Sequence, residues 1–459
     1  MRRAATRPAY RPARGAAARL RSVRPVLVLI FHVTAPTDAG PLVRALAEAR
    51  RALAERQRTA FLAAGADAVE IVAGPPDGLT FGERLAAAVA ARASWDADAQ
   101  PRGGAPAGQT GDVVGVVGAA GDRAKPSGRA APRLAGGRVA QILAGGVLVL
   151  GSGSIPLATA ADLRRFVEAA AAPGGHALAN NLYSADVVAI SRAADLAGLP
   201  PLPTDNALPR WLRERAGVAV TDLRPRWRLG VDVDTPLDLI LLGDPAAAGL
   251  LAAAPLIGER LTALADVMSN RRAEILVAGR VSATTLKWLE RGVACRVRAL
   301  VEERGLRAAS RLAQAGATAG LEVDAGAAHR TSAGAHRATA GTVPQRPPHS
   351  VLGELLDRDG PDALARTISR LADAAVIDTR VLIAHRHGAD ETTWPTAEDR
   401  FASDLLLHSQ VADPWLRALT ASAAESGARP FDHPIVLGGH TLVNGGLRLL
   451  ATRARAGVP

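Results

Sequence analysis

The sequence has few aromatic residues, 3% of its 459, and a single cysteine. Because only Cys295 is present, no disulfide can form within the chain, and a reducing compartment is favoured. Its apolar neighbours are typical of a strand start, so we expect a buried, unreactive thiol. No apolar run reaches the roughly 18 residues that a membrane span needs. We therefore expect a soluble, cytoplasmic protein without a membrane partner.

The net charge of +11 is unevenly distributed along the chain. Residues 1–24 hold eight arginines and no acid, which leaves about +3 (11 minus 8) for the rest. A basic tract without apolar periodicity is typical of a disordered tail, although a transit peptide or an incorrectly assigned start codon would explain it equally well. No nucleic-acid-binding module or aromatic interleaving accompanies the charge, so we expect no nucleic-acid partner.

Short apolar segments alternate with helical patterns, and this alternation predicts an α/β fold. Residues 26–33 and 146–151 are apolar runs of strand length, each followed by a helical pattern. Such alternation predicts a mostly parallel sheet with helices on both faces. We also interpret residues 227–233 and 376–384 as strands.

The length favours two domains. We place one α/β domain at residues 25–243 and a second α/β domain at residues 255–455. Residues 96–137 and 315–350, rich in Gly and Ala, are predicted to be low-complexity insertions with little fixed structure, one in each domain.

The most informative segment is Asp232-Val-Asp-Thr-Pro-Leu-Asp238, at the end of a predicted strand. Because side chains alternate along a strand, Asp232 and Asp234 should leave one face roughly 7 Å apart. Such a pair can hold a hard cation, here Mg²⁺ or Mn²⁺. Thr235 is predicted to be the N-cap of a helix, and Asp238 lies in the first turn of that helix, where the helix dipole favours a negative charge. A capped strand-to-helix turn would use the same residues, so both interpretations remain open at this point.

Three segments occur in the order and spacing of a known family: Phe81-Gly-Glu-Arg-Leu85, Val147-Leu-Val-Leu-Gly-Ser152 and Asp232-Val-Asp-Thr-Pro-Leu-Asp238. They resemble the small GT-A-fold transferases, described as glycosyltransferase-like or radical-SAM-associated. These are relatives of the molybdenum-cofactor and phospholactate nucleotidyltransferases. The similarity covers about residues 26–243 without the insertion, and the second half lies outside it.

The resemblance implies a GT-A-like domain that binds a nucleotide at the carboxyl ends of its strands, where a metal held by Asp232 and Asp234 screens the phosphates. It implies nucleotide contacts from Gly82, Glu83, Arg84, Gly151, Ser152 and Ser154. The chain departs from the family at residues 152–154, where an aspartate is replaced by Ser-Gly-Ser. No carboxylate remains in that loop, and neutral hydroxyls are weak ligands for Mg²⁺.

Two further polar segments are placed near the pocket. Asn180, Asn181 and Asp205 could recognise a base or a sugar through hydrogen bonds. Asn and Asp are also favoured in turns for backbone reasons, so turn chemistry is the alternative.

The second half has its own group of metal-ligand residues. His385 and His387 lie two apart at the end of a predicted strand and should project on one face, and Asp390 and Glu391 follow them. Asp404 and His408 lie four apart on one face of a predicted helix, and His440 follows two glycines. This pattern predicts either a metal site or an ordinary network of ion pairs. Residues 279–285, after a strand, could bind an anion at the start of the next helix.

We therefore expect a metal-assisted transferase that uses a nucleotide or nucleotide-sugar, of the nucleotidyltransferase or glycosyltransferase type. The alternative is a catalytically silent GT-A-like domain that serves as a ligand-binding or regulatory module. The Asp-Val-Asp sequence favours the first hypothesis, whereas the missing loop carboxylate favours the second. The nucleotide, the acceptor and the role of the second domain are not predicted.

Overall fold

A computed structural model describes residues 24–91, 145–302, 348–426 and 433–456. The predicted basic tail and both predicted insertions lie outside these ranges, apart from Arg24 and residues 348–350. The described residues form an α/β fold with one mixed six-stranded sheet and one parallel four-stranded sheet.

The first sheet is mostly parallel and has the order β2-β1-β3-β5-β4-β6. Only β5 runs antiparallel to its neighbours β3 and β4. The central strands are apolar and buried because helices cover both faces of the sheet. The strands are β1 Val26–Val33, β2 Ala68–Gly74, β3 Gly146–Gly151, β4 His176–Ala179, β5 Val187–Ile190 and β6 Ala219–Asp222.

The helices of the first half include two that begin with reciprocal capping boxes. Thr159 and Asp162 cap α3, and Thr235 and Asp238 cap α5, as predicted for Thr235. The helices are α1 Pro41–Ala63, α2 Phe81–Ala91, α3 Ala160–Ala171, α4 Leu208–Glu214, α5 Pro236–Leu242 and α6 Ala247–Ala253.

The second sheet is parallel, with the order β10-β9-β7-β8. Its strands are β7 Glu274–Gly279, β8 Arg296–Val301, β9 Ala374–Asp378 and β10 Ile435–Gly438. Its helices are α7 Pro255–Ser269, α8 Ala283–Gly292, α9 Val351–Asp359, α10 Leu364–Ser369, α11 Thr379–His387, α12 Ala397–Asp404, α13 Pro414–Glu425 and α14 Leu447–Ala456. A π-helical turn, Leu442–Gly446, precedes α14.

One predicted strand is wrong, and another is too long. Residues Trp227–Gly230 form a 3-10 turn, and the extended residues after it make only an isolated bridge between Asp232 and Ser154. The strand predicted at 376–384 ends at Asp378 and is followed directly by α11. The Asp378 side chain accepts a hydrogen bond from the Arg380 backbone N–H, which is the N-cap interaction that starts the helix.

Helix α1 joins the hydrophobic cores of the two halves. Leu46 and Leu53 pack in the same buried cluster as the second sheet, and Leu237 of α5 belongs to that cluster too. From the residue after Leu53 onward, Ala54 and Phe61 of α1 pack against the first sheet. The two sheets are therefore held against each other by shared helices.

Within the described ranges no single helix is long and apolar enough to cross a membrane, and α5 and α6 meet that measure only together, as a pair bent by 117°. Cys295 is buried, as predicted.

Candidate functional site

Asp232 lies where the carboxyl ends of the two sheets meet. It pairs through an isolated bridge with Ser154, which follows β3 of the first sheet. From the second half, the Thr441 Oγ1 hydroxyl donates to Asp232 Oδ1 at 2.5 Å, and His440 Nδ1 lies 3.9 Å from the same oxygen. Both residues follow β10. The Asp-Val-Asp segment is thus bordered by both halves of the chain.

Asp232, Asp234 and His440 form a candidate metal centre. One ligand atom from each side chain lies within 4.8 Å of the other two. Carboxylate oxygens and imidazole nitrogen suit Mg²⁺, Mn²⁺ or Zn²⁺, and side-chain shifts of about 1 Å would bring them to bonding distance. The sequence pattern predicts the two aspartates at this place, but it does not predict His440 as their partner.

Carboxylates crowd this part of the molecule and perturb one another. Burial, followed by the charge of Asp234, raises the pKa of Asp232 to about 6. Burial, followed by the charges of Asp232 and Asp205, raises the pKa of Asp186 well above its usual value. Burial also raises the pKa of Asp238 strongly. A bound cation would remove much of this mutual repulsion.

Asp238 holds the backbone of the Asp-Val-Asp segment through hydrogen bonds. One of its carboxylate oxygens accepts hydrogen bonds from the backbone N–H groups of Asp234 and Thr235, at 2.9 and 2.7 Å. Its Oδ1 atom is buried and has no hydrogen-bond partner among the described residues. The capping box therefore fixes the backbone that carries the two candidate metal ligands.

Asp234 already has one cationic neighbour. Arg50 of α1 donates from Nη2 to Asp234 Oδ1 at 2.8 Å and from Nε to the Val233 carbonyl at 2.5 Å. The Asp234 side chain is 58% exposed, so this pair is accessible to solvent. A metal ion at Asp234 would compete with Arg50 or share the carboxylate with it.

The loop of Gly151, Ser152 and Ser154 adjoins the candidate centre, but its hydroxyls bond within the protein. Ser154 Oγ accepts from the Gly151 N–H at 3.2 Å, and Ser152 Oγ lies 3.0 Å from His32 Nδ1. Burial, followed by the charges of Arg51 and Arg50, lowers the pKa of His32. The loop thus offers shape and hydroxyls at the site, and no carboxylate.

Gly82, Glu83 and Arg84 start helix α2. Glu83 accepts hydrogen bonds from the Thr80 backbone and hydroxyl, and Arg84 forms an ion pair with Asp77. A Cβ atom at Gly82 would lie 2.3 Å from the Pro200 carbonyl oxygen, so a close backbone contact requires glycine there. No hydrogen bond or ion pair within the described ranges joins these residues to the Asp-Val-Asp segment.

The polar segments around residue 180 and residue 205 make the hydrogen bonds expected of turns. Buried Asn180 donates to Asp186 Oδ2 and to the Leu229 carbonyl, both at 2.8 Å. The Asn181 side chain accepts from the Tyr183 N–H, and Asp205 accepts from its neighbouring backbone N–H. Asn180 therefore positions Asp186 rather than offering an open amide to a ligand.

The histidines of the second half do not form one group. His385 and His387 lie on α11, where residues two apart point about 200° from each other, so the predicted common face is wrong. The Asp404 carboxylate pairs with Arg380, and His408 lies beyond the end of α12. Neither cluster of candidate metal ligands in the described ranges includes His387 or His408.

A second cluster of possible ligands contains His349, Glu354 and His385. His385 Nδ1 accepts from the Ser350 N–H at 3.1 Å, which leaves the proton on Nε2, facing Asp357 at 3.1 Å. Both ring nitrogens are therefore occupied by protein groups. A metal ion here would have to break one of these bonds, which makes this cluster a weaker candidate than the Asp232 centre.

The helix start predicted to bind an anion is capped by side chains. The Ser282 hydroxyl accepts from the Thr285 N–H at 3.1 Å, and the Ser282 N–H donates to Asn444 Oδ1 at 2.8 Å. These backbone donors are therefore already bonded within the protein.

Comparisons of the chain with protein-family models, with curated proteins and with solved structures give no match.

Proposed function

We propose that the protein is a metal-assisted transferase that uses a nucleotide or a nucleotide-sugar, with Mg²⁺ or Mn²⁺ bound by Asp232, Asp234 and His440. The observation that carries this proposal is the convergence of two carboxylates and one imidazole, each supplying a ligand atom within 4.8 Å of the others, at the meeting point of the two sheets. Ligands at the carboxyl edge of an α/β sheet are common because loops and helix starts converge there.

The electrostatics of the site support a bound cation. The raised pKa values of Asp186 and Asp232 reflect buried carboxylates close to further negative charge. A divalent ion would allow these groups to ionise fully at neutral pH. The loop at residues 152–154 offers only hydroxyls to a metal ion, and His440 supplies a third ligand. The second half of the chain therefore compensates for the carboxylate that the loop lacks.

The chemistry follows from the ion. An acceptor atom would form a bond to the sugar carbon or the α-phosphorus of the donor while the bond to the leaving phosphate oxygen breaks. The electron pair of that bond stays on the leaving group, where the metal ion offsets the developing charge. The proton released by the acceptor would pass to a carboxylate of the site.

The alternative function is a ligand-binding or regulatory module without catalysis. Two observations favour it: Arg50 already neutralises Asp234, and Ser152 is bonded to His32. This alternative predicts ligand binding that does not depend on metal or on the two aspartates.

Mn²⁺ titration followed by electron paramagnetic resonance tests the metal centre directly. We expect wild-type protein to bind Mn²⁺, the Asp232→Asn, Asp234→Asn double variant to lose binding, and His440→Ala to weaken it at least about tenfold. The control is Asp266→Asn with Glu290→Gln, which removes two exposed carboxylates that belong to neither cluster of candidate ligands and should change nothing.

Calorimetric titration of GTP, CTP, ATP and UDP- or GDP-sugars, with and without the metal, separates the two functions. Metal-dependent binding that disappears in the Asp232, Asp234 double variant supports the transferase. Tight binding that is indifferent to metal and to both aspartates would favour the regulatory module.

A further inference from the structure

Arg280 follows β7, and the charges of Asp378 and, more weakly, of Asp234 in the candidate site raise its pKa against the effect of burial. One edge of its guanidinium group is held by Asp378, with Nε to Oδ2 at 2.6 Å and Nη2 to Oδ1 at 3.1 Å. Asp378 is fully buried, whereas the Arg280 side chain remains 22% exposed. Within the described residues, Nη1 of Arg280 has no hydrogen-bond partner. The remaining donors therefore point away from Asp378 in a fixed orientation.

A single side chain fixes Arg280 relative to the candidate metal centre. Asn444 Nδ2 donates both to the Arg280 carbonyl, at 3.0 Å, and to the His440 carbonyl, at 2.8 Å. Asn444 lies in the π-helical turn Leu442–Gly446, and such turns occur often at functional sites. His440 in turn lies 3.9 Å from the Asp232 carboxylate. The Arg280 backbone is thus anchored beside the candidate metal centre.

We propose that Arg280 binds a phosphoryl oxyanion of the substrate, on the side of the candidate metal centre formed by the second sheet. This inference rests on the proposed function, since a diphosphate has enough oxygens to contact a metal ion and an arginine together. A guanidinium fork matches phosphate oxygens in geometry and keeps its charge at all relevant pH values. Such a clamp is the usual way to bind a phosphate group that leaves or is transferred.

The neighbouring pair shows what a purely structural arginine looks like in this protein. Arg380 bonds both oxygens of Asp404, and its Nη1 also donates to the Thr379 hydroxyl at 2.9 Å. Its side chain is 11% exposed. The Arg280 side chain is twice as exposed, 22% against 11%, and lacks a comparable third partner, so its outer donors are available to a ligand.

Calorimetric titration of the full chain with inorganic pyrophosphate, in the presence of Mn²⁺, tests the assignment. Removing Arg280 alone would leave a buried carboxylate, so the principal variant is Arg280→Gln with Asp378→Asn. We expect it to lose about tenfold to 100-fold in pyrophosphate affinity while Mn²⁺ binding without pyrophosphate is unchanged. Arg298→Gln, an exposed arginine paired with Glu274, is the control and should bind normally.

Pyrophosphate affinity within twofold of wild type in a folded double variant would overturn the assignment and leave the metal centre untouched. A wild type that binds no Mn²⁺ would instead refute the proposed function, and metal-free pyrophosphate binding that depends on Arg280 would still support the anion site. Inorganic phosphate serves as the second probe: equal loss for both probes supports a contact to a single phosphoryl group, and loss for neither overturns the proposal.

Discussion

The carboxyl edges of the two sheets differ in how their buried acids are paired with arginines. At the second sheet each buried carboxylate has its own arginine: Asp378 pairs with Arg280, and Asp404 with Arg380. Although burial opposes ionisation, Arg280 lowers the pKa of Asp378, whereas at Asp404 burial outweighs Arg380 and raises the pKa. This edge is balanced in charge without any ligand.

The edge of the first sheet is not balanced in this way. Burial and neighbouring carboxylates raise the pKa values of Asp186 and Asp232, and the charges that repel them belong to the same group of acids. Arg50 pairs with exposed Asp234, and the His440 ring lies 3.9 Å from the Asp232 carboxylate. The second edge is therefore stable without a ligand, whereas at the first edge the carboxylates repel one another and a bound cation would reduce that repulsion.

Removing an arginine from the balanced edge should have the largest effect on stability. Arg380→Met leaves Asp404, which is fully buried, without its ion-pair partner. Breaking a buried pair from one side costs about 3–5 kcal/mol, because the remaining charge stays desolvated. Urea unfolding at pH 7 measures the change in the free energy of unfolding.

The double variant Arg380→Met with Asp404→Leu is the control for that experiment. It removes both charges, so most of the lost stability should return. If Arg380→Met lowers the free energy of unfolding by less than about 1 kcal/mol, solvent reaches Asp404, and the two edges then differ less than proposed.

Removing a negative charge from the edge of the first sheet should increase the free energy of unfolding rather than decrease it. Because the pKa of Asp232 is raised from 3.8 to about 6, the folded state binds this proton more tightly than the unfolded state does. The stability that protonated Asp232 contributes to the folded state is therefore lost as the pH rises from about 4 to about 6, and it stays lost at higher pH. Asp232→Asn should stabilise the metal-free protein by about 1–3 kcal/mol at pH 7 and by almost nothing at pH 4.

Urea unfolding in the presence of a chelator, at several pH values between 4 and 7, checks this expectation. Exposed Asp266→Asn on α7 is the control and should show no such trend. A variant that is less stable than wild type at pH 7 would mean that the Thr441 hydrogen bond outweighs the repulsion.

Local features of this fold could be predicted from the sequence. The apolar runs of β1 and β3 and the Thr235 cap depend on residues within a few positions of one another. The strand predicted at 376–384 fails for a local reason too. The apolar residues after Asp378 continue the strand pattern, but Asp378 itself caps a helix, and an N-cap signal at that position could have indicated the break.

The composition of the site could not be predicted in the same way. Thr441 contacts Asp232 across 209 positions, and Asp378 holds Arg280 across 98. No periodicity or spacing records such pairings, because they depend on how two sheets pack. The sequence therefore indicates one part of the candidate site, the Asp-Val-Asp segment, and not the histidine and arginine that the second half contributes.

The smallest expected effect concerns the helix that both halves share. Helix α1 has Gly40 at its N-cap and no side-chain cap of its own there. Instead Glu398 of α12 accepts from the Leu42 and Val43 N–H groups, at 3.0 and 3.1 Å. Its negative charge also favours a helix N-terminus. Glu398→Gln keeps an acceptor but loses the charge, so we expect a loss of about 0.5–1 kcal/mol in urea unfolding.

Gly40→Ala tests the same contact between Glu398 and the start of α1 by changing the helix instead of the carboxylate. A Cβ atom at Gly40 would lie 2.2 Å from the Glu398 Cδ atom, so the carboxylate must move away from the helix start. If the cap stabilises the packing of the two halves, Gly40→Ala in the Glu398→Gln background should cost less than it does in wild type, because the two residues act on one interaction. Additive losses would show that Glu398 does not cap α1 in solution, and the two edges would then be coupled through the apolar contacts of α1 alone.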